Sequence, residues 1–524
     1  MADNIREIVL DTLLALEKDG EYSHRLIHAV LDKYDYLDSR DKSFIKRLTE
    51  GTIERQIELD YYLDHISSLP VRKMKPLIRC ILRMSACQML YMDTVPDSAV
   101  CNEAVKLAEK RGFRNLKGFV NGVLRNLSKQ KETLSLPDKE KEPVKYLSVK
   151  YSMPVWLVEL WLSQYGHEIT ERMLAGLMQV HPVSLRFSSR LSARKKGESL
   201  ERLRQAGATI AESVYLPYVC SIMHGENIGM LPGFEEGAFT VQDVSSALAV
   251  EAAQIRDTDF VMDICAAPGG KSILAAEKAY KVLARDISDE KTSVIETNIR
   301  RMRAENIEVQ VFDATDFDME YEEKADVLLM DVPCSGLGVM GKKRDIKYHV
   351  TPEGLKSLAE LQRKIIDNSW RYVKPGGTLI YSTCTIHSRE NEDMVRYICE
   401  KLPFDPVSLE EALPPVLWEQ KRKLDTLVNL QQGIWTGQGS GTGQEDLVEP
   451  KSETERKSEK AQGSEETQQL HTKADSRPQQ ESLKRQRAGK LLTEKEQAAC
   501  IQLLPGYMEC DGFFFAKFRR RNNQ

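Results

Sequence analysis

The sequence lacks the features that would place the protein in a membrane or an oxidising compartment. It has no run of the roughly 18 apolar residues that a membrane span needs, and positions 1–10 contain no apolar signal-peptide core. The ten cysteines form no CxxC pair and no spacing typical of a zinc site. We therefore expect a cytoplasmic protein with reduced thiols, no metal and no membrane contact, and we expect it to be a monomer.

A strong charge of one sign is also lacking. The 74 Lys and Arg residues are balanced by 79 Asp and Glu residues, which gives a formal net charge of −5. Any contact with nucleic acid would therefore have to be local. A basic cluster that could make such a contact, although clusters of this kind are usually only solvated faces, consists of Arg186, Arg190, Arg194, Lys195 and Lys196.

Aromatic residues are absent from the long stretch between Trp435 and Tyr507, where Gln, Gly, Ser, Glu and Lys dominate. A segment of this composition cannot bury a hydrophobic core. We therefore predict a disordered insertion at 431–495.

The remaining sequence divides into segments of different periodicity. Residues 1–130 carry apolar residues at helical spacing and predict an all-α domain, whereas 131–150 are charged and predict a linker. A small mixed α/β subdomain that contacts RNA is predicted at 151–240. From 241 to 430, apolar strands alternate with amphipathic helices, which is typical of a parallel sheet flanked by helices, and 496–524 are predicted to add its last strand. The predicted strands of this sheet are 260–264, 282–285, 309–312, 327–331 and 379–382.

The first of these strands is followed by a glycine-containing loop, whose residues are Cys265, Ala266, Ala267, Pro268, Gly269, Gly270 and Lys271. Such a turn lets a ligand approach the backbone and the free amide groups of the next helix. The loop matches neither GxGxxG nor GxxxxGK[ST], which argues against a dinucleotide site and a phosphate loop. The next two strands end near Asp286 and Asp313. A carboxylate after the second strand suits a ribose diol, although an aspartate at a strand end is often only a cap.

Two cysteines follow the fourth and fifth strands, Cys334 after Asp331-Val332-Pro333 and Cys384 after Thr383. A single cysteine is usually buried filler. Two of them at one sheet edge suit chemistry on a cytosine ring, in which a thiolate adds to carbon-6 and makes carbon-5 nucleophilic enough to take a methyl group. A base then removes the carbon-5 proton and the thiol is eliminated, while Asp331 could assist at the ring nitrogen. The residues alone leave open which cysteine attacks.

Residues 240–400 and 503–518 resemble the NOL/NOP/Sun family of RNA cytosine carbon-5 methyltransferases. The resemblance rests on the motif at 263–271, on the acids Asp286 and Asp313, and on the motifs at 331–336 and 382–385. It implies a Rossmann-like class I methyltransferase domain that binds S-adenosyl-L-methionine through residues 265–271, Asp286, Asp313 and Asp331. It also implies that Cys384 is the nucleophile, that Cys334 assists product release and that Asp331 contacts the base.

Further positions match this family less informatively. Lys271, Asn391 and the segment 345–348 correspond to family positions, but a cap or a solvated loop would explain them equally well. The family usually continues Gln-Asp with Glu-Ala-Ser, whereas Gln242 and Asp243 are followed here by Val-Ser-Ser. We therefore assign no role to Val244.

The N-terminal segments 95–98, 102–105 and 119–126 are similar to the NusB-like helical RNA-binding module that precedes the catalytic domain in bacterial members of the family. This similarity implies a target in 16S rRNA, and the cytosine should be unpaired or flipped because a stacked ring is inaccessible to attack. Two alternatives stay open. The target could be another rRNA or tRNA position, or the chain could be a non-catalytic RNA-binding or assembly factor.

Overall fold

The computed structural model describes residues 4–179, 182–223, 228–437 and 492–522. The N-terminal part is helical, as predicted, and its helices enclose one core. Asn4 and Asp38 cap the first and third helices through their side chains, and Pro76 begins the most deeply buried one. The helices are α1 (Ile5–Asp19), α2 (Ser23–Lys33), α3 (Ser39–Glu54), α4 (Gln56–Ile66), α5 (Pro76–Tyr91), α6 (Asp97–Lys110) and α7 (Lys117–Gln130).

The second half of the segment predicted as a linker is instead a helix, α8 (Pro143–Lys150). Its Leu147 is fully buried and packs in one core with Trp161 of α9 (Val155–Tyr165) and Leu174 of α10 (His167–Leu177). The charged residues of α8 lie on its outer face, so composition concealed a short buried stripe. The same core continues onto one face of the large sheet.

A small antiparallel sheet follows, with strand order β2-β3-β1-β4. Its strands are β1 (Val183–Phe187), β2 (Thr209–Glu212), β3 (Val219–Met223) and β4 (Phe239–Val241). Helix α11 (Ala193–Gln205) covers it, and Leu200 and Leu203 pack against Phe187 and Phe239.

The large sheet has eight strands and is mostly parallel. The order runs β10-β12-β9-β8-β5-β6-β7, with β11 paired to β12, and the pairs among β5 to β9 are parallel. The strands are β5 (Phe260–Asp263), β6 (Lys281–Asp286), β7 (Ile307–Val311), β8 (Ala325–Asp331), β9 (Val373–Thr383), β10 (Phe404–Pro406), β11 (Cys500–Leu503) and β12 (Phe513–Arg520). The flanking helices are α12 (Val244–Ala252), α13 (Gly270–Ala276), α14 (Asp289–Met302), α15 (Ile346–His349), α16 (Pro352–Ser369), α17 (Glu392–Lys401), α18 (Pro415–Gly437) and α19 (Glu494–Ala498).

Each strand predicted within 241–430 overlaps an observed one, and the predicted closing strand is β12, which pairs antiparallel with β9. The predicted insertion at 431–495 falls mainly on 438–491, which lie outside the described residues. Within the described ranges we find no helix with the length and apolar character of a membrane span.

Candidate active site

The carboxyl ends of the parallel strands bring the predicted site residues to one edge of the sheet. Asp263, Asp286 and Asp331 are the last residues of β5, β6 and β8, and Cys384 directly follows β9. The strand order reverses between β5 and β8. Ligands of doubly wound sheets bind at such a reversal, so the topology places a candidate site here.

The loop 265–271 turns sharply between β5 and α13. Gly269 has a φ of +98°, which favours glycine, and a Cβ there would lie 3.2 Å from Ile295 Cγ2. A Cβ on Gly270 would lie 3.3 Å from Gln242 Cδ. Gln242 is itself fixed, because Arg186 Nε donates to its Oε1 at 2.6 Å. The two glycines therefore allow the loop to pack closely on both neighbours.

The rest of the loop is held by its backbone. Ala266 N donates to Arg285 O at 2.9 Å, and Pro268 O accepts from Asn298 Nδ2 at 2.9 Å. Cys265 is half-buried, and burial raises the pKa of its thiol, with the nearby acids adding to the shift. Cys265 is thereby kept as a neutral thiol.

Asp286, which the sequence predicts to bind the ligand, lies against this loop. Its Oδ2 accepts from Ala267 N at 2.9 Å, and its Oδ1 accepts from Lys291 Nζ at 2.9 Å. Asp313 lies beyond β7 and bonds locally, since its Oδ1 accepts from Thr315 N at 2.8 Å. Hydrogen bonds from Thr315 hold the pKa of Asp313 below its ordinary value. The hydrogen bond of Asp313 in this structure therefore stabilises the turn after β7.

Asp263 is a buried acid with an unused hydrogen-bonding atom. Its Oδ2 accepts from Ser272 Oγ at 2.6 Å, whereas its Oδ1 is buried and has no partner among the described residues. Burial raises the pKa of Asp263 to about 6. An unsatisfied buried oxygen is rare, so this atom is a candidate acceptor for a ligand donor.

The two predicted cysteines are in contact. Their Sγ atoms lie 3.1 Å apart, although the residues are 50 positions apart in sequence. The segment after Cys334 folds back onto the second cysteine, because Gly338 N donates to Cys384 O at 3.0 Å. Strand placement had predicted this proximity.

Asp331 and Lys271 form an ion pair beside the thiols. Lys271 Nζ lies 2.6 Å from Asp331 Oδ2, and Ser382 Oγ donates to Asp331 Oδ1 at 2.7 Å. Burial alone would lower the pKa of Lys271, but Asp331 and Asp263 raise it overall. Lys271 is therefore a cation held at the site. Its ion pair with Asp331 is not the contact of a helix cap or of a solvated loop residue.

The charges near the two thiols differ in sign. The Lys271 ammonium interacts electrostatically with Cys384, whereas the buried Glu390 carboxylate interacts with Cys334. The hydrogen bond with Cys384 and burial raise the pKa of Cys334 well above its ordinary value, and Glu390 adds to the shift. Burial, the neighbouring thiol and the Glu390 carboxylate therefore keep Cys334 as a neutral thiol.

Two buried residues directly before α17, Glu390 and Asn391, support the segments that carry the cysteines. The sequence predicts no role for Glu390 and no specific role for Asn391. Asn391 accepts from Thr383 Oγ1 at 2.6 Å and donates to Thr385 O at 3.1 Å, so it holds the segment around Cys384 rather than capping a helix. Glu390 accepts from Ser335 N at 2.9 Å. No periodicity or motif predicts this contact, since the two partners are 55 positions apart in the chain.

The segment 345–348 contacts the N-terminal domain. Lys347 Nζ donates to Glu54 O at 2.7 Å, and Tyr348 OH donates to Ile53 O at 3.0 Å. This segment is therefore neither a helix cap within its own domain nor a solvated loop.

The basic cluster is largely structural. Arg186 is fully buried and pairs with Glu277 at 2.8 Å, and Arg190 donates to Ala276 O at 2.8 Å. Lys196 pairs with Glu212 at 3.2 Å, while Arg194 and Lys195 are exposed. Arg194 also lies 3.5 Å from Glu198, so four of the five side chains have a protein partner and the cluster is neither one solvated face nor one basic surface.

Comparisons with known proteins agree with this architecture. The model of the RsmB/F family of 16S rRNA methyltransferases matches residues 250–412, and that of the NusB family matches residues 3–129. A relative from Bacillus subtilis strain 168, named a probable ribosomal RNA small subunit methyltransferase B, is 33% identical over 419 residues, which cover 78% of this chain and 92% of the relative. A relative of the same name from Synechocystis is 31% identical over 398 residues, covering 74% and 87% of the two chains.

The fold also matches a solved structure. The crystal structure of PH0851 superimposes with a TM-score of 0.68 at 20% identity and covers 99% of both chains. The fold class predicted from the sequence, a NusB-like helical domain followed by a Rossmann-like methyltransferase domain, is confirmed. With a relative at 33% identity that is covered over 92% of its length, the chain belongs to the ribosomal RNA small subunit methyltransferase B family.

Proposed function

We propose that the protein methylates carbon-5 of an unpaired or flipped cytosine in 16S rRNA, as a cytoplasmic monomer, through a covalent cysteine adduct. The observation that carries the proposal is the 3.1 Å contact between Cys334 and Cys384 beside the Lys271–Asp331 ion pair. The names of the similar proteins support small-subunit rRNA as the substrate.

The residues at the sheet edge fit S-adenosyl-L-methionine. Loop 265–271 and Asp286 would hold the nucleoside part, with Asp313 beyond them, and Asp331 would border the methyl-donor end. The unpartnered Asp263 Oδ1 supplies a buried acceptor at the end of β5. When bound, the sulfonium of S-adenosyl-L-methionine supplies an electrophilic methyl group.

The chain's own residues would perform the remaining chemistry. Cys384 Sγ forms a bond to carbon-6 of the cytosine, and the electrons of the 5,6 double bond make carbon-5 nucleophilic. As electron density shifts toward ring N3, that atom takes up a proton. Asp331 in its protonated form, with its oxygens held by Lys271 and Ser382, would supply this proton and take it back on release. Lys271 keeps this carboxyl group in place.

Release reverses the covalent step. After methylation, carbon-5 carries both a methyl group and a proton. A base takes that proton, the electron pair of the C–H bond re-forms the 5,6 double bond, and the bond from carbon-6 to Cys384 Sγ breaks, leaving its electrons on the Cys384 thiolate. Cys334, whose sulfur touches Cys384, would assist this release.

The test uses Cys384→Ser, Cys334→Ser and wild-type protein with a 16S transcript and a labelled methyl donor. We expect no methylated product from Cys384→Ser and an accumulating covalent RNA adduct from Cys334→Ser, seen as a slower band on a denaturing gel. Cys399→Ser, on α17, is the thiol control and should behave as wild type. Equal turnover in all variants would refute the two-thiol mechanism, and activity confined to tRNA or another rRNA would refute the substrate.

A further inference from the structure

The segments that carry the two cysteines are joined by a buried carboxylate. Ser335, which follows Cys334, donates to Glu390 through its backbone N at 2.9 Å and its Oγ at 2.6 Å. The same Oγ lies 2.8 Å from the Oγ1 of Thr385, which follows Cys384. One side chain therefore fixes the residue after one thiol and, through a hydroxyl, the residue after the other.

Glu390 is itself held by hydrogen bonds to both its carboxylate and its backbone. It is fully buried, Gln362 Nε2 donates to its Oε2 at 3.0 Å, and Tyr381 OH donates to its backbone O at 2.6 Å. Gln362 also donates to Pro333 O at 2.9 Å, directly before Cys334. The partners of the carboxylate are donors, which is the pattern that a buried anion requires.

The neighbouring His387 does not change this pattern. Its Nδ1 lies 3.6 Å from Glu390 Oε1, beyond a normal hydrogen bond. Burial lowers the pKa of His387 to about 4, so the ring is neutral near pH 7. The imidazole therefore adds no cation to the cluster.

The two thiols depend unequally on Glu390. The segment around Cys384 has another support, because the Asn391 side chain binds both Thr383 and Thr385. The Pro333–Ser335 side is tied to the sheet mainly through Glu390 and its partner Gln362.

We infer that Glu390 is the positioning residue that sets the separation of the Cys334 and Cys384 sulfurs. This inference rests on the proposed function and makes Glu390 necessary for adduct release more than for the first attack. Glu390 contacts neither sulfur in a hydrogen bond and acts through Ser335, which follows Cys334 and whose Oγ lies 2.8 Å from Thr385 Oγ1.

The decisive variant is Glu390→Gln, which keeps the shape but places an amide NH₂ opposite groups that donate. Its first readout needs no RNA. Diamide takes two electrons and two protons from the paired thiols as the disulfide forms, so the rate of the Cys334–Cys384 crosslink reports their separation. Peptide mass spectrometry measures that rate.

We expect the crosslinking rate to fall at least about tenfold, because small displacements have large effects on such reactions. Loss of the anion would by itself ease ionisation of Cys334 and speed the reaction, so a slower rate can come only from geometry. With RNA, Glu390→Gln should form the adduct at a rate within about threefold of wild type and release it about tenfold more slowly.

Glu353→Gln, an exposed acid in the first turn of α16, is the matched control and should leave both rates unchanged. Ser335→Ala removes the Oγ contacts alone and should give a smaller decrease in the same two rates, which keeps the test decisive if Glu390→Gln does not fold. Unchanged crosslinking and release in a folded variant would overturn the inference. If wild type makes no methylated RNA but Glu390→Gln still slows crosslinking, the proposed function fails and the positioning role stands.

Discussion

Lys271 and Asp331 form an ion pair beside the two thiols, with Lys271 Nζ 2.6 Å from Asp331 Oδ2. This contact predicts that the site needs the charge of Lys271. Lys271→Met keeps much of the side-chain volume and removes the cation. We expect the rate of adduct formation to fall about a hundredfold, because Asp331 loses the partner that orients it and Cys384 loses a nearby positive charge. Quenched single-turnover reactions on denaturing gels measure this rate.

A matched lysine lies at the other end of the same sheet. Lys374 pairs with Asp326 at 2.9 Å and is partly exposed. Lys374→Met should change adduct formation by less than about twofold, since exposed ion pairs contribute little. If both variants lose the same activity, the effect of Lys271 is on folding and not on the site.

Single residues were predictable where chemistry and local structure coincide. Cys384, Cys334 and Asp331 come directly at or after predicted strand ends, so their meeting at one edge followed from the alternation of strands and helices. The role of Glu390 could not be predicted because it depends on a hydrogen bond with Ser335, which is 55 positions away in the sequence. A carboxylate in a polar run of sequence gives no sign that it will be fully buried.

Among the elements, the segment between β8 and α15 makes the tightest packing contact with the active site. A Cβ on Gly338 would overlap Gly512 O and lie 2.9 Å from Cys384 O. Gly338→Ala should therefore push this segment away from Cys384, lower stability by roughly 1–3 kcal/mol and slow methyl transfer. Thermal unfolding and a single-turnover assay check the two effects.

Gly122 in α7 supplies the opposite case. A Cβ there meets nothing within 4 Å, and the residue lies in a regular helix. Gly122→Ala should raise stability by up to about 1 kcal/mol, because alanine favours a helix more than glycine does. Similar losses from both alanines would contradict the packing argument.

The elements of the large sheet were predictable because β-rich apolar runs separated by helices leave few topologies. The helix α8 was not, since it exposes charged residues and buries only a short stripe that includes Leu147. The orientation of the basic side chains at 186–196 could not be predicted for a related reason. Sequence gives charge but not direction, and Arg186 turns inward to Gln242 and Glu277.

At the scale of the whole molecule, the methyltransferase domain donates hydrogen bonds to the C-terminal end of α3 in the N-terminal domain. The last residues of α3, Ile53 and Glu54, have carbonyl groups that accept from Tyr348 and Lys347. Helix C-termini leave such carbonyls unsatisfied, and a cation there is favourable. The contact joins residues almost 300 positions apart, as their separations of 293 and 295 show, so neither domain's sequence could predict it.

Lys347 gives this domain contact a pH dependence. Burial lowers its pKa to about 7 from an ordinary value of 10.5, although the nearby Glu54 and Glu58 partly oppose the shift and Arg55 and Arg344 add to it. Between these two values the unfolded chain binds a proton on this lysine that the folded chain does not bind. The contribution of Lys347 to the free energy of unfolding therefore rises with pH from about 7 to about 10, and below about pH 7 it is constant.

Lys347→Met removes this titration and keeps an apolar stem in the buried site. We expect the Tm of wild type relative to the variant to increase between about pH 7 and about pH 9.5, as measured by scanning calorimetry at several pH values. A constant difference for Lys347→Met would mean that the hydrogen bond to Glu54 O outweighs burial and keeps the lysine charged in the folded protein.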